Sequence, residues 1–497
     1  MSLTKTTSYA HQLKIIEESK DRNYAGYFME QGTGKTHVTI AVATHLFREG
    51  KIKAVLVLAP NGVHDNWAIN EIPAHCPLPE VQRELLTWHS SDGVRKRNAF
   101  EHGLSTIGSG KLTYILANIE ALRTKAFMEL MERYLIKGSI FDTPTPFDIK
   151  WMMVIDESTV IKSMKADVTK AAIKLGGHAM YKRILTGTPV TQGPMDLFSQ
   201  CRFLGKDVLP YNSQTAFKCE FVIEQAVDLG PGRPRFNKIV GYRNQDKLAR
   251  LLLPFTWRVM KADCLDLPEK IYQTRYVELT PEQKRVYKEL VRTSLATVND
   301  GTVTVLHAIT LMLRCQQVAL GYVTNDDKII STIPSNRINV LRDLISEMAA
   351  NPKVIIFCRF REDVKQVVEA LRLDYPDHKS VQFHGDIDSD LRSEAVRSFQ
   401  EESAVRFFVA TKAAARGLTL TAATQVIYYS QDFRLEARLQ SEDRAHRIGQ
   451  RSSVVYTNLV ARGTVDEKVI SALMKKQEIA NLVLDRANLT QFLQLEE

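Results

Sequence analysis

The sequence predicts an α/β protein of two doubly wound parallel-sheet lobes with helical insertions between them. Three observations carry that reading. Short, near-continuous apolar runs rich in β-branched residues recur along the chain, separated by helix-like stretches. Strands buried on both faces read this way, and parallel strands need a crossover between them. The runs fall into two series on either side of a helix-rich stretch, and 497 residues exceed what one compact core holds.

In the first series the predicted strands are Tyr24–Met29, Ala54–Ala59, Thr113–Ala117, Trp151–Ile155 and Arg183–Thr186. In the second they are Lys353–Cys358, Val381–Phe383, Arg406–Ala410, Gln425–Tyr429 and Val454–Leu459. The stretch from about Cys201 to Ile345 reads as helical, with loops at Gly230–Arg235 and at the polar segment Thr324–Asn336. The expected division is a first lobe at 1–205, helical insertions and linker at 206–335, and a second lobe at 336–497.

Composition narrows the class. Hydrophobic content of 44% and charged content of 25% are those of a folded globular chain. A net charge of +9 fits an anionic polymer partner and fits an ordinary basic surface equally well. Cys76, Cys201, Cys219, Cys264, Cys315 and Cys358 are scattered without a C-x-x-C pair, which reads as a reduced, intracellular protein with no zinc module. No apolar run is long enough for a membrane span, and the N-terminal residues lack a signal core, so neither membrane insertion nor secretion is expected.

The chemistry begins at Met29-Glu-Gln-Gly-Thr-Gly-Lys-Thr36, set between a predicted strand and a helix-like run from His37 to Arg48. Gly32 and Gly34 allow the backbone to approach phosphate oxygens, and amides and the positive end of the helix face the anion. Lys35 would reach the β/γ-phosphates and the Thr36 hydroxyl would hold Mg²⁺. The strict loop pattern has a glycine where Met29 stands, and a Gly-rich turn before a lysine can also be purely structural. Val154-Ile-Asp-Glu157 ends a strand in two carboxylates: Asp156 would hold Mg²⁺ and Glu157 would orient and deprotonate water. Taken alone it reads as an ordinary strand end, and the phosphate loop upstream shifts that reading. Arg183-Ile-Leu-Thr-Gly-Thr-Pro189 ends another strand, where Thr186, Gly187 and Thr188 could sense the γ-phosphate; a plain strand before a proline turn is the alternative. Gln440-Ser-Glu-Asp-Arg-Ala-His-Arg-Ile-Gly-Gln450 places Arg444 and Arg447 three apart, on one face if helical. Guanidinium groups there can stabilise charge on a transferring phosphoryl group.

Taken together these strings resemble the Swi/Snf-related ATPases of helicase superfamily two, in order along nearly the whole chain. Tyr9-Ala-His-Gln12 resembles the segment of the adenine-reading glutamine, and Met29–Thr36 resembles motif I. Leu58–Trp67 resembles motif Ia, Asp156–Ser163 motif II, and Leu185–Gln192 motif III. Val354–Cys358 and Phe383–Asp386 resemble motifs IV and IVa, Ala410–Leu420 motif V, and Asp443–Gln450 motif VI with its R-I-G-Q ending. Pro254–Lys261, Leu267–Lys270 and Leu279–Tyr287 resemble the inter-lobe segment. The resemblance implies RecA-like lobes, ATP and Mg²⁺ as cofactors, and a nucleotide held by Gln12, Gly32, Thr33, Gly34, Lys35, Thr36 and Gln440. It implies arginine fingers at Arg444 and Arg447. It also implies largely sequence-independent contacts to double-stranded DNA at Ala59, Pro60, Asn61, Asn118, His384, Gly385, Thr411 and Lys412, by a motor acting as a monomer.

Several positions depart from the family pattern. Motif II reads D-E-S-T, with Thr159 where a histidine usually links the ATP site to motif III, so coupling through a hydroxyl is expected. Ala414 and Ala415 replace two glycines of motif V, Thr419 replaces an asparagine, and Phe433 stands where a tryptophan is common. The motor is expected to fill the chain, leaving no room for targeting domains, and a phage or bacterial source with a cytoplasmic or nucleoid location is expected. The functional expectation is an ATP-driven translocase on duplex DNA. A strand-separating DNA or RNA helicase and a non-catalytic ATP-gated DNA-binding module are the alternatives.

Overall fold

Both strand series form parallel sheets. The computed structural model describes residues 2–484 except 62, 138–148, 228–235, 265–266, 300–304, 325–328, 349–350, 412–417 and 448. Among the described residues no helix is long and apolar enough to cross a membrane. The chain folds as two units, one built on residues 1–265 and one on residues 266–475.

The first unit holds β1 (Tyr24–Met29), β2 (Ala54–Ala59), β3 (Arg83–Trp88), β4 (Leu112–Asn118), β5 (Trp151–Asp156), β6 (Tyr181–Leu185), a hairpin of β7 (Val222–Val227) and β8 (Phe236–Tyr242), and β9 (Thr256–Val259). Its main sheet runs β3-β4-β2-β5-β6-β1-β9, with every pairing parallel. Side chains alternate across this sheet. Leu56 and Leu58 enter the core on one face, Val55 and Val57 the core on the other, and all four are fully buried. Helix α1 (Ala10–Ser19) precedes β1 and α2 (Lys35–Arg48) follows it.

The second unit holds β10 (Lys270–Val277), an antiparallel hairpin of β11 (Tyr322–Thr324) and β12 (Ile330–Thr332), β13 (Lys353–Phe357), β14 (Lys379–Phe383), β15 (Val405–Ala410), β16 (Ala423–Tyr428) and β17 (Val454–Ala461). Its sheet runs β10-β17-β16-β13-β15-β14, again all parallel. Val354 and Ile356 face one core, and Ile355 and Phe357 the other.

Every predicted strand is present with its ends within two residues of the expected limits. Seven strands were not anticipated: β3, β9 and β10, each at the edge of its main sheet, and the two hairpins β7–β8 and β11–β12. The stretch expected to be helical supplies all of them except β3, and part of the expected polar loop at Thr324–Asn336 is strand β12. The loop expected at Gly230–Arg235 lies outside the described residues.

Candidate active site

The phosphate-type loop fills the turn from β1 to α2. Gly32 and Gly34 lie at φ +82° and +95°, the left-handed region that L side chains resist. A Cβ on Gly34 would also stand 2.1 Å from Gln12 Nε2. Gln12, in α1, is therefore seated directly on the loop: its Nε2 donates to the Thr33 carbonyl at 3.1 Å, and its Oε1 accepts from the Tyr9 amide at 3.0 Å. The Thr33 hydroxyl donates to the Glu30 carbonyl at 2.7 Å. Lys35 is buried, and its Nζ donates to the Met29 and Glu30 carbonyls at 2.9 and 3.3 Å, so the ammonium is folded back over the loop. Met29, where the strict pattern has glycine, ends β1 with its side chain fully buried in the core. Thr36 follows in the first turn of α2, where free amides and the helix dipole favour an anion.

Asp156 ends β5 and is 6% exposed. Its Oδ2 accepts from Trp67 Nε1 at 2.9 Å and its Oδ1 from the Glu157 amide at 2.9 Å. Burial pushes the Asp156 carboxyl above its usual range, opposed by the Trp67 indole, the nearby Lys35 charge and the Glu157 amide. Such a carboxylate gains from a cation. The Thr36 hydroxyl and the Asp156 carboxylate are hard oxygen donors that suit Mg²⁺, which when held there would supply positive charge against the phosphates. Glu157 sits at φ +52°, a sparsely populated conformation for a non-glycine residue. Its Oε1 accepts from Gln31 Nε2 of the phosphate loop at 3.3 Å, which draws the carboxylate to the loop. Trp67 and Gln31 were not singled out from the sequence. The signal for Trp67 was present: an aromatic N–H donor closing the motif Ia string.

Motif III joins the same cluster. Thr186 is fully buried, and its hydroxyl accepts from the Thr188 amide at 3.1 Å. A Cβ on Gly187 would lie 3.3 Å from Glu30 Cα and from the Met29 carbonyl oxygen, so glycine lets this strand end lie against the phosphate loop. The expected coupling through the Thr159 hydroxyl is corrected: that hydroxyl is buried without a hydrogen-bond partner. The neighbouring Ser158 hydroxyl donates to Gln200 Oε1 at 2.7 Å, and Gln200 Nε2 donates to the Pro189 and Asp196 carbonyls at 2.8 Å each. Lys162 Nζ adds a second link, to Thr191 Oγ1 at 2.8 Å. Motif II thus reaches motif III through Ser158–Gln200 and Lys162–Thr191.

In the second unit, Gln440 and Arg444 lie on the helix Leu435–Ala445. The helix stops there, so Arg444 and Arg447 do not share a helix face as expected; Arg447 lies beyond its end. They nevertheless converge. Arg444 Nη1 donates to the Leu418 carbonyl at 3.0 Å, and Arg447 Nη1 to the same carbonyl at 3.3 Å and to Thr419 Oγ1 at 2.8 Å. Gln440 Nε2 donates to Glu436 Oε1 at 3.1 Å. Gln450, the end of R-I-G-Q, is a structural clip: its Nε2 donates to the Thr421, Ala423 and Ala445 carbonyls at 2.9–3.1 Å and its Oε1 accepts from the Arg451 and Ser452 amides. Phe433 lies beneath the Arg359 guanidinium at 4.7 Å.

The residues expected to meet DNA sit at carboxyl ends of parallel strands, where open α/β sheets place their ligands. Ala59 ends β2, Pro60 follows it buried, and Asn61 is exposed. Asn118 ends β4, and its side chain accepts from the Glu120 amide at 3.1 Å, capping the next turn. His384 and the exposed Gly385 follow β14. Thr411 follows β15 and is buried, its amide bonded to the Phe383 carbonyl at 3.0 Å. Lys412, Ala414 and Ala415 lie outside the described residues.

Two parallel α/β units, the first carrying a phosphate loop beside a paired aspartate and glutamate, define a helicase-type ATPase. The SNF2-related domain matches residues 23–320, more than half the chain, and the helicase conserved C-terminal domain matches residues 336–449; the chain belongs to the SNF2-related family. It is 27% identical over 384 residues to the TATA-binding protein-associated factor MOT1 of Saccharomyces cerevisiae, covering 67% of this chain and 20% of that protein. It is 26% identical over 472 residues to the putative ATP-dependent helicase/translocase YwqA of Bacillus subtilis, covering 92% of this chain and 46% of that protein. The chain therefore spans less than half the length of these curated relatives. Among solved structures, the Sulfolobus solfataricus SWI2/SNF2 ATPase core in complex with dsDNA aligns at 22% identity and a TM-score of 0.42, covering 97% of this chain and 98% of that one.

Proposed function

We propose that this chain is a DNA-dependent ATPase that spends Mg²⁺-ATP hydrolysis on movement along double-stranded DNA. The observation that carries the reading is the bonded cluster of the first unit. Gln31 of the phosphate loop touches Glu157, Gly187 of motif III abuts the loop at Met29 and Glu30, and Ser158 bonds Gln200, which bonds Pro189. A change at the γ-phosphate would therefore be transmitted to the carboxyl ends of the strands, where the proposed DNA contacts lie.

In this reading Gln12, Gly32, Thr33, Gly34 and Lys35 hold the nucleotide, while Thr36 and Asp156 hold the metal. Glu157 orients water and takes its proton during attack on the γ-phosphorus. Arg444 and Arg447 meet the developing charge when the two units close on ATP, with Gln440 beside the nucleotide. Lys35 contributes ground-state charge, whereas the arginines act mainly in the transition state. DNA contacts at Ala59, Pro60, Asn61, Asn118, His384, Gly385, Thr411 and Lys412 fall on backbone phosphates, so binding is largely independent of sequence and falls steeply with salt. The test is ATP turnover with duplex DNA, single-stranded DNA, branched DNA and RNA. The reading expects weak turnover alone and strong stimulation by duplex DNA; equal turnover with and without every nucleic acid refutes it.

A further inference from the structure

At the turn after β2, the first unit gathers three metal-type ligands. His64 and Asp65 lie in the short turn Val63–Asn66 after β2, and His89 follows β3. One ligand atom from each falls within 4.8 Å of the other two. His89 Nε2 stands 3.2 Å from Asp65 Oδ1, and His64 Nε2 stands 3.6 Å from the same oxygen. Two ligands of a tetrahedral zinc, each bonded at about 2.0–2.2 Å, are themselves about 3.3–3.6 Å apart.

His64 supplies a second, independent observation. It is 1% exposed, and neither ring nitrogen reaches a hydrogen-bond partner. The Pro60 carbonyl lies near the ring but outside hydrogen-bond geometry. A buried imidazole with two orphaned nitrogens is costly unless something meets one of them.

We infer that His64, Asp65 and His89 form a binding site for a divalent transition-metal cation of the zinc class. Two imidazole nitrogens with one carboxylate oxygen favour such a cation over Mg²⁺, which takes oxygen ligands. The site would brace the turn leading into Trp67, whose indole holds Asp156. Cysteine spacing could not reveal it, because no ligand is a cysteine.

The test uses the full chain, stripped with a chelator and kept free of nucleotide. It is titrated with Co²⁺, read by visible ligand-field absorption, and with Zn²⁺, read by calorimetry. One equivalent of Zn²⁺ should bind, excess Mg²⁺ should not displace it, and His89→Ala and Asp65→Ala should each weaken binding by at least about tenfold. Both side chains are 37% exposed, so the variants should melt like the parent without metal, with Zn²⁺ raising the Tm of the parent alone. No binding by the parent, binding unchanged in both variants, or displacement by Mg²⁺ overturns the inference.

Discussion

Replacing Trp67 by phenylalanine isolates the group that holds Asp156. The indole is 1% exposed, and its Nε1 donates at 2.9 Å to Asp156, itself 6% exposed. Phenylalanine keeps an aromatic ring and removes only the donor and part of the volume. A hydrogen bond to a charged group contributes about 1.5–3 kcal/mol. At about 1.4 kcal/mol per decade this converts to a loss of roughly 10- to 150-fold in affinity for whatever needs Asp156 ionised. Losing the indole also pushes the Asp156 pKa further up, since this bond is the largest influence lowering it. Calorimetric binding of ATP with Mg²⁺ and with a chelator in its place separates the two effects. Mg²⁺-dependent affinity should fall by that factor, while metal-free ATP binding should change little. Trp67→Phe binding Mg²⁺-ATP at the parental affinity would refute the reasoning, because the indole would then be only a packing group.

Three further outcomes follow from the same geometry. Lys35→Ala should abolish nucleotide binding, whereas Glu157→Gln should retain it and lose turnover; parental hydrolysis by Glu157→Gln removes the base assignment. Arg447→Lys should cut turnover at saturating duplex DNA by about 10³ or more with little change in ATP affinity, because lysine keeps the charge and loses the fork. Arg444→Lys should do the same with some loss of stability, since Arg444 is buried against the Leu418 carbonyl, and near-parental turnover in both would make these arginines structural. His37 is 5% exposed, and its pKa is pushed down to about 4 by burial, then by His75 and His11. The folded pKa lies below the ordinary 6.5, so the unfolded chain takes the proton first. Stability from neutral His37 is complete above about pH 6.5 and is lost towards pH 4, by up to about 3 kcal/mol. Denaturant melts across that range should show the loss in the parent and a shallower one in His37→Gln, and identical acid limbs would count against it.

The central strands were legible because burial on both faces writes an unbroken apolar run, as in Ala54–Ala59. Three of the four edge strands of the main sheets, β3, β9 and β10, were not. Arg83-Glu-Leu-Leu-Thr-Trp88 and Lys270–Val277 are covered on fewer sides, so polar residues interrupt them and the period blurs. The phosphate loop and the carboxylate pair were legible because their chemistry fixes residue types at short spacing. Links across the fold left little trace in the sequence. Trp67 and Asp156 are 89 positions apart, and Gln31 and Glu157 are 126 apart, so only folding shows that they meet. The Thr159 expectation failed for a local reason: the 3₁₀ turn after Glu157 buries that hydroxyl away from partners and leaves the Ser158 hydroxyl to Gln200. The helix-face expectation for Arg444 and Arg447 assumed a helix that ends at Ala445. The convergence survives because both guanidinium groups find the Leu418 carbonyl.

The central claim is that hydrolysis drives movement along duplex DNA. Displacement of a fluorescent third strand from a triplex on linear duplex DNA tests it most directly, with a tailed duplex as the unwinding control and Glu157→Gln as the turnover control. The account predicts ATP-dependent loss of the third strand, no processive separation of the tailed duplex, and no displacement by Glu157→Gln. Efficient unwinding of the tailed duplex with the triplex left intact would contradict it and identify a strand-separating helicase instead.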